Sequence, residues 1–155
     1  MKDNDIKIVE IPGKWNIEYR YSAGLVASKF FAELKKGQNF IATECPKCNR
    51  VYLPPRSFCE RCFIKINDWV SLGLEGTVET FTLVMDNFEG FPDPPYVVAY
   101  VKIDGADTAM ANFIEGLDLS DTKRALETLK IGMRVKAVFK EKREGMVTDF
   151  VFKPA

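Results

Sequence analysis

The sequence predicts a mainly β protein with a small α part. Three observations support this fold class: a helical stretch near the N-terminus, four cysteines in two closely spaced pairs, and a C-terminal half rich in short strands and turns. We therefore divide the chain into an N-terminal arm and helix at 1-37, a cysteine-bearing unit at 38-67 and a β domain at 68-155.

The N-terminal arm carries a strand-like pattern. Trp15, Ile17, Tyr19 and Tyr21 alternate with polar residues, which is the period of two that is typical of a strand. Aromatic and arginine residues are also frequent in protein interfaces. The arm either covers its own domain or lies on a partner.

A helix is expected after Ser22, because serine often caps a helix N-terminus. Gly37 suits the position just after the helix C-terminus, where a left-handed backbone is common. The apolar stripe of this helix is formed by Leu25, Val26, Phe30, Phe31 and Leu34.

The four cysteines of the chain form two Cys-x-x-Cys pairs with ten residues between them: Cys45, Cys48, Cys59 and Cys62. A tetrahedral metal ion needs four donors at about 2.3 Å, and each pair can hold one edge of the tetrahedron. Asn49 follows the first pair, where a left-handed backbone is often needed. The chain has no histidine, so four thiolates are the soft ligands it offers. We predict a structural zinc ion in a rubredoxin-like zinc ribbon.

The alternatives to zinc at these cysteines are two disulfides, a redox motif and an iron site. Two disulfides would require an oxidising compartment, but the charged N-terminus is unlike a secretory signal, so we expect a cytoplasmic protein. A redox Cys-x-x-Cys would stand alone beside a βαβ pattern, which the sequence lacks. Iron is chemically compatible with four thiolates, and zinc is favoured over it.

The β domain predicts a five-stranded barrel of the OB type. A short helix is expected after Ser120-Asp121, closed by Gly132, before the last pair of strands. Closure of the barrel would leave few exposed strand edges. Strands are expected at 77-85, 96-103, 108-114, 134-140 and 146-153.

Composition weighs against some functions. Lys plus Arg and Asp plus Glu each number 22, and the pI is near 6.4, whereas non-specific nucleic-acid binding usually needs a positive excess. No apolar run approaches the ~20 residues of a membrane span. We expect no membrane partner.

Two surfaces are candidates for binding. Cations around the ribbon, including Lys47, Arg56 and Arg61, either offset the charge of the thiolates or bind a phosphate-bearing ligand. The loop at 86-95 carries Phe88 and Phe91 among acids and prolines. It is either a docking surface or ligand lid, or a loop folded over the barrel mouth.

Several motifs together resemble a known family. Besides the cysteine pairs they are Pro54-Pro55-Arg56, Trp69, Gly76-Thr-Val-Glu-Thr-Phe-Thr82 and Pro94-Pro95-Tyr96. The stretch from about residue 20 to 153 resembles the acyl-CoA-associated family of zinc-ribbon plus OB-fold proteins, known as domain of unknown function 35. In this family a glycine usually stands where this chain has Asn49, and the first 20 residues match less well.

The resemblance implies a non-catalytic accessory subunit or scaffold. Family members resemble companions of thiolases and hydroxymethylglutaryl-CoA synthases, and archaeal forms are thought to bridge the two in the mevalonate route to isoprenoids and to shape a shared CoA channel. CoA or an acyl-CoA is then the expected ligand. Arg56, Lys47 and Arg61 would contact its phosphates, and Tyr52, Phe88 or Phe91 would form an apolar wall. No catalytic residue is expected.

Two other functions remain open on the sequence alone. A ribbon joined to an OB barrel is common in proteins that bind single-stranded nucleic acid, although the zero net charge weighs against this function. A stand-alone enzyme would lack histidine and a free cysteine, the usual base and nucleophile.

Overall fold

The computed structural model describes residues 9–155, except for the side chain of Thr122. Residues 1–8, the start of the predicted arm, lie outside the described residues. The helices within it are α1 (Gly24–Lys36) and α2 (Thr122–Thr128), with a short 3₁₀ helix at Val147–Asp149. The strands are β1 (Phe40–Glu44), β2 (Val51–Tyr52), β3 (Phe58–Cys59), β4 (Ile64–Lys65), β5 (Asp68–Leu72), β6 (Glu75–Val84), β7 (Tyr96–Ile103), β8 (Met110–Ile114), β9 (Arg134–Phe139) and β10 (Phe150–Pro154).

Residues 9–23 form neither helix nor strand, and all of them are exposed. The strand expected around Trp15 to Tyr21 is therefore not formed among the described residues. In the part of the arm that the structure describes, the side chains do not cover the domain.

Helix α1 begins at Gly24, and its N-cap is Ala23 rather than Ser22. The Ser22 hydroxyl oxygen still accepts a hydrogen bond from the Gly24 amide, at 3.3 Å. Gly37 has a φ of 66°, as predicted for the residue that ends the helix.

The predicted apolar stripe of α1 is correct only in part. Phe30 and Leu34 are buried, whereas Leu25 is 92% exposed. Leu25 lies in the first turn of the helix, next to the exposed arm, and no element covers it there. Leu25 therefore does not belong to the buried face of α1.

Strand β1 is the centre of a three-stranded antiparallel sheet in the order β2-β1-β5, while β3 and β4 form a separate hairpin. The sequence assigned the residues of β5 to the barrel, but Asp68 pairs with Glu44 and Leu72 pairs with Phe40. This pairing crosses the proposed limit between 38-67 and 68-155, and the domain limits stay a prediction.

Strands β10, β8, β7, β6 and β9 form a closed barrel in that order, which confirms the predicted five-stranded OB architecture. The longest hairpin joins β6 to β7, with an irregularity in register between Val78 and Thr80. Strand β10 closes the ring by pairing with β8 in parallel, through Phe152 and Ile114.

One apolar core joins the helix, the first ribbon strand and the barrel. Phe30 and Leu34 of α1 and Phe40 of β1 belong to the same buried cluster as Phe150 and other barrel residues. The rings of Phe40 and Phe150 meet edge to face, with centroids 5.0 Å apart. A second, smaller cluster lies in the ribbon and contains Cys45, Tyr52, Cys59 and Ile66.

Among residues 9–155, neither helix has the length and apolar content required to span a membrane.

Candidate metal centre and ligand surface

The structure brings the four cysteine sulfurs together. The Sγ atoms of Cys45, Cys48, Cys59 and Cys62 all lie within 4.8 Å of one another, and Cys48 Sγ is 3.8 Å from Cys59 Sγ. A tetrahedron of zinc–sulfur bonds of about 2.3 Å has edges of about 3.8 Å. The spacing and softness of this donor set fit a structural zinc ion.

Both knuckles turn with the same backbone geometry. The Asn49 amide donates to the Cys45 carbonyl at 2.8 Å, and the Phe63 amide donates to the Cys59 carbonyl at 2.9 Å. Asn49 and Phe63 both have a φ of 55°. Asparagine tolerates this left-handed region, which explains how it can replace the glycine usual in the related family. The sequence did not reveal the same requirement at Phe63.

Tyr52 supports the metal centre from inside. Its side chain is fully buried, and its hydroxyl lies 3.3 Å from Cys59 Sγ. This hydrogen bond lowers the pKa of Cys59 to about 6, whereas burial raises the pKa of Cys62 to about 12. Burial, followed by the contact with Cys59, also raises the pKa of Tyr52 itself. Tyr52 therefore stays a hydrogen-bond donor, and Cys59 is the favoured thiolate.

A barrel turn binds the ribbon along β2. Asp107 accepts from the Val51 amide through Oδ2 at 2.8 Å and donates its own amide to the Val51 carbonyl at 2.9 Å. The Thr108 hydroxyl accepts from the Leu53 amide and donates to the Leu53 carbonyl, both at 2.8 Å. We call Asp107 and Thr108 the clamp. Sequence reasoning missed it because its partners are 55 or more residues away.

Of the predicted ligand residues in the ribbon, the three cations are exposed and Tyr52 is buried. Lys47, Arg56 and Arg61 are exposed, as phosphate contacts would require. The Arg56 guanidinium pairs with Glu60 and lies over the Tyr52 ring, 5.2 Å from its centroid. Tyr52 is fully buried and cannot form an open apolar wall, so its expected ligand role is wrong.

The loop between β6 and β7 presents both predicted phenylalanines. Phe88 is 53% exposed and Phe91 is 55% exposed. The Phe91 ring stacks on Tyr96 at 6.3 Å, and Phe113 meets it edge to face. Pro92, Tyr96 and Phe113 line a cavity of about 230 Å³ at the barrel wall. The loop thus packs on the barrel and leaves the rings of Phe88 and Phe91 about half exposed, and its role as a docking surface or ligand lid stays a prediction.

Two family models match the chain. The ChsH2 rubredoxin-like zinc ribbon domain matches residues 33–66, and the ChsH2 C-terminal OB-fold domain matches residues 69–140. The chain belongs to the ChsH2-type family of zinc-ribbon plus OB-fold proteins.

Solved structures agree with this assignment. A protein of unknown function from the DUF35 family of Sulfolobus solfataricus is 25% identical with a TM-score of 0.64, over 85% of this chain and 87% of that one. A chain of the Ltp2-ChsH2(DUF35) aldolase is 21% identical with a TM-score of 0.65, over 87% of this chain and 98% of that one. The resemblance to domain of unknown function 35 is confirmed.

This ChsH2-type protein has a larger cavity that the sequence did not reveal. It holds about 440 Å³ between the start of α1 and the end of the ribbon, and its lining includes Val26, Lys65 and Ile66. Lys29 Nζ lies 4.1 Å from the centroid of the Trp69 ring within this lining. Trp69 belongs to the motifs that carry the family resemblance, but the helix that completes the cavity is distant from it in sequence.

Proposed function

We propose that this ChsH2-type protein is a non-catalytic accessory subunit that binds a thiolase-type enzyme and helps form a channel for CoA or an acyl-CoA. The observation that carries the proposal is the match of both halves of the chain to ChsH2 domains. A chain of the same fold occurs in the Ltp2-ChsH2(DUF35) aldolase. The proposal includes a cytoplasmic location and, as its most detailed form, a bridge to a hydroxymethylglutaryl-CoA synthase.

The metal centre supports a structural role for the metal. Four thiolates complete a tetrahedral shell, so a zinc ion held by Cys45, Cys48, Cys59 and Cys62 keeps no position for water or substrate. When bound, zinc supplies a cross-link between the two knuckles. The chain's own residues then present the surrounding surface.

The ribbon surface suits the phosphate end of CoA. Lys47, Arg56 and Arg61 are exposed cations on one small unit, and arginine binds phosphate in a bidentate manner. The pantetheine arm and the acyl chain need apolar walls, for which the chain offers two candidates. One is the cavity that contains Trp69, and the other is the surface of Phe88 and Phe91.

The test of the partner is co-expression of the full chain with each thiolase-type enzyme and each hydroxymethylglutaryl-CoA synthase of its source organism. Size-exclusion chromatography with light scattering should show a stable complex with at least one thiolase-type enzyme. The isolated chain should leave CoA esters intact. Elution of the chain alone beside every one of these enzymes would refute the proposal.

The test of the ligand surface is CoA binding by the purified complex, measured by calorimetry. The double variant Lys47→Ala/Arg61→Ala should bind CoA at least about 100-fold more weakly, since each lost phosphate contact is worth roughly 1.5–3 kcal/mol and every 1.4 kcal/mol is about tenfold in affinity. Lys130→Ala removes an exposed cation of the barrel domain and serves as the matched control. Equal affinities for both variants would exclude these ribbon cations from the CoA site.

A further inference from the structure

The N-terminal arm exposes four large apolar side chains in a row. Trp15 is 88%, Ile17 63%, Tyr19 77% and Tyr21 81% exposed. Soluble proteins rarely leave a continuous set of such residues open unless the set binds something. The arm is therefore the strongest unexplained surface among the described residues.

The spacing of these residues selects one conformation for the bound arm. In a strand, alternate side chains point to the same face, so Trp15, Ile17, Tyr19 and Tyr21 would share one side. In a helix, residues two apart lie about 200° apart, so the same four would divide between opposite faces. The rings of Tyr19 and Tyr21 already stack in this structure, with centroids 6.0 Å apart and planes 28° apart. The apolar face is thus a property of an extended arm.

The backbone of the arm is open. Within residues 9–155, no strand pairing and no backbone hydrogen bond includes any residue from 9 to 21. The amides and carbonyls of the arm are therefore free to pair with another strand. An extended segment with a free backbone can add to the edge of a sheet, where pockets of the receiving protein hold its alternate side chains.

We propose that residues 15–21 add as an edge strand to a β-sheet of the partner enzyme, with the four apolar side chains seated in a groove beside that edge. This inference rests on the proposed function, since the partner is the thiolase-type enzyme. Seven residues span about 23 Å in a strand. Three aromatic side chains and one isoleucine can bury roughly 600 Å², most of the ~800 Å² that one partner contributes to a standard interface.

The charges of the arm favour a protein as the occupant. Residues 9–23 contain two acids, Glu10 and Glu18, and two bases, Lys14 and Arg20, so their net charge is zero. A membrane surface or a nucleic acid would be bound by a basic excess. In a second copy of this chain the barrel is closed and the clamp lies against β2 of the ribbon, so the free strand edges among the described residues are those of β5 and of the short β3-β4 hairpin.

The first experiment uses hydrogen exchange of the full chain, alone and in complex with the thiolase-type enzyme that binds it. Alternate amides between 15 and 21 should exchange freely in the isolated chain and become at least about tenfold slower in the complex. A stable complex in which these amides stay unprotected would overturn the arm's role and leave the proposed function intact. If no thiolase-type enzyme binds the wild-type chain, the proposed function fails first.

The second experiment separates the two faces of the arm. The variant Trp15→Ser/Tyr19→Ser should weaken binding to that enzyme about 100-fold, since buried aromatic anchors dominate interfaces. The matched control Asn16→Ser/Glu18→Ser changes the opposite face and should alter the affinity less than about twofold. Neither variant should change the melting temperature, because the arm lies outside the core. Equal affinities would refute the proposal.

The third experiment tests the backbone pairing. In an edge strand, the amides of alternate residues point toward the neighbouring strand, and proline removes one of them. Either Ile17→Pro or Glu18→Pro, but not both, should bind about tenfold more weakly than its alanine counterpart at the same position. Equal behaviour of the two proline variants would exclude strand addition.

Sedimentation of the chain alone tests a second copy as the occupant. It should show a monomer, and a dimer that dissociates in the variant Trp15→Ser would identify a second copy as the occupant instead.

Discussion

Tyr52 favours a thiolate at Cys59 over the other cysteines of the metal centre. Its hydroxyl faces Cys59 in a fully buried position and lowers the pKa of that thiol to about 6. The lowered pKa of Cys59 depends on the burial of the Tyr52 hydroxyl, which keeps this donor from bonding to water instead. A bound zinc ion holds all four cysteines as thiolates, and the hydroxyl then stabilises the charge on the Cys59 sulfur.

Replacing Tyr52 by phenylalanine removes this donor and leaves the ring in place. We expect Tyr52→Phe to bind zinc with the same stoichiometry but to lose it about tenfold faster to a competing chelator, since partners of metal ligands contribute at this scale. Release can be followed with a chromogenic chelator. Tyr100→Phe, at a half-exposed barrel tyrosine, is the matched control. An unchanged release rate would mean that the hydroxyl does not support the site.

At the scale of elements, the clamp joins the ribbon to the barrel. The turn between β7 and β8 makes four short hydrogen bonds to Val51 and Leu53. Leu53 is fully buried, so its amide and carbonyl have no access to water if Thr108 is lost. The clamp thus binds the backbone at β2 and the residue after it, mainly through the side chains of Asp107 and Thr108.

Thr108→Val keeps the shape of the side chain but removes the hydroxyl. Two buried backbone groups of Leu53 then lose their partner, and we expect the free energy of unfolding to fall by about 2 kcal/mol. Denaturant unfolding measures the loss, and the Leu53 amide should exchange faster. Thr80→Val, at an exposed position of β6, should change neither quantity. A normally protected Leu53 amide in Thr108→Val would contradict the role of the clamp.

A second link joins helix α1 to the segment before β10. The Asp149 carboxylate accepts from the amides of Glu144, Gly145 and Met146, at 3.0, 2.6 and 2.9 Å. This turn places Arg143 so that its Nε donates to the Lys35 carbonyl at 2.9 Å, near the end of α1. A Cβ at Gly145 would approach the Phe31 carbonyl oxygen to 2.9 Å, so only glycine fits there.

The pKa of the Asp149 carboxyl predicts that the stability of the fold depends on pH. Burial raises its pKa, but the three amide donors outweigh this effect, and the pKa lies below its ordinary value. A lowered folded-state pKa contributes stability that is present above the unfolded value of about 3.9 and is lost as pH falls through the folded value. We therefore expect Asp149→Asn to be less stable than the wild type by about 2 kcal/mol at neutral pH.

The difference between the two proteins should shrink as the pH falls below about 4, because the carboxylate is then protonated first in the unfolded wild type and, at lower pH, in the folded protein as well. Thermal unfolding across this range measures it, and Asp86→Asn at an exposed loop position is the control. A difference that stayed constant down to pH 2 would show that the charge of Asp149 is not what stabilises the turn.

At the scale of the whole molecule, the two buried clusters differ in what they depend on. The main cluster joins α1, β1 and the barrel through apolar contacts alone. The ribbon cluster is small and consists largely of metal ligands and Tyr52. A unit of this size cannot bury enough apolar surface to fold without its metal.

Loss of the metal should therefore unfold the ribbon before the barrel. We expect Cys59→Ser to lose its zinc and to become sensitive to protease between residues 45 and 66, while most of the β-sheet signal in circular dichroism remains. Elemental analysis gives the metal content, and Ser57→Ala provides a neighbouring exposed control. Simultaneous loss of the barrel signal would show that the ribbon and barrel fold as one unit.

The predictions that succeeded concern features coded by neighbouring residues. The residue ending α1, the cap of α2 at Asp121 and the limits of β7 follow local patterns of glycine, capping side chains and β-branched residues. The errors concern contacts across the chain. Local pattern misplaced Ser22, Leu25 and the residues of β5. The places of Ser22 and Leu25 follow from the exposure of the arm, and the place of β5 follows from its pairing with β1.

The metal ligands, the ribbon and the barrel class can be predicted from the sequence, because cysteine spacing and side-chain alternation act over a few residues. Three features depend on the folded chain: Tyr52 faces Cys59 from the inside, Thr108 holds Leu53, and the arm of Trp15 has no partner within the described residues. The clamp depends on residues more than 50 positions apart, and Tyr52 and the arm depend on which surfaces the whole fold buries. No local pattern encodes either property.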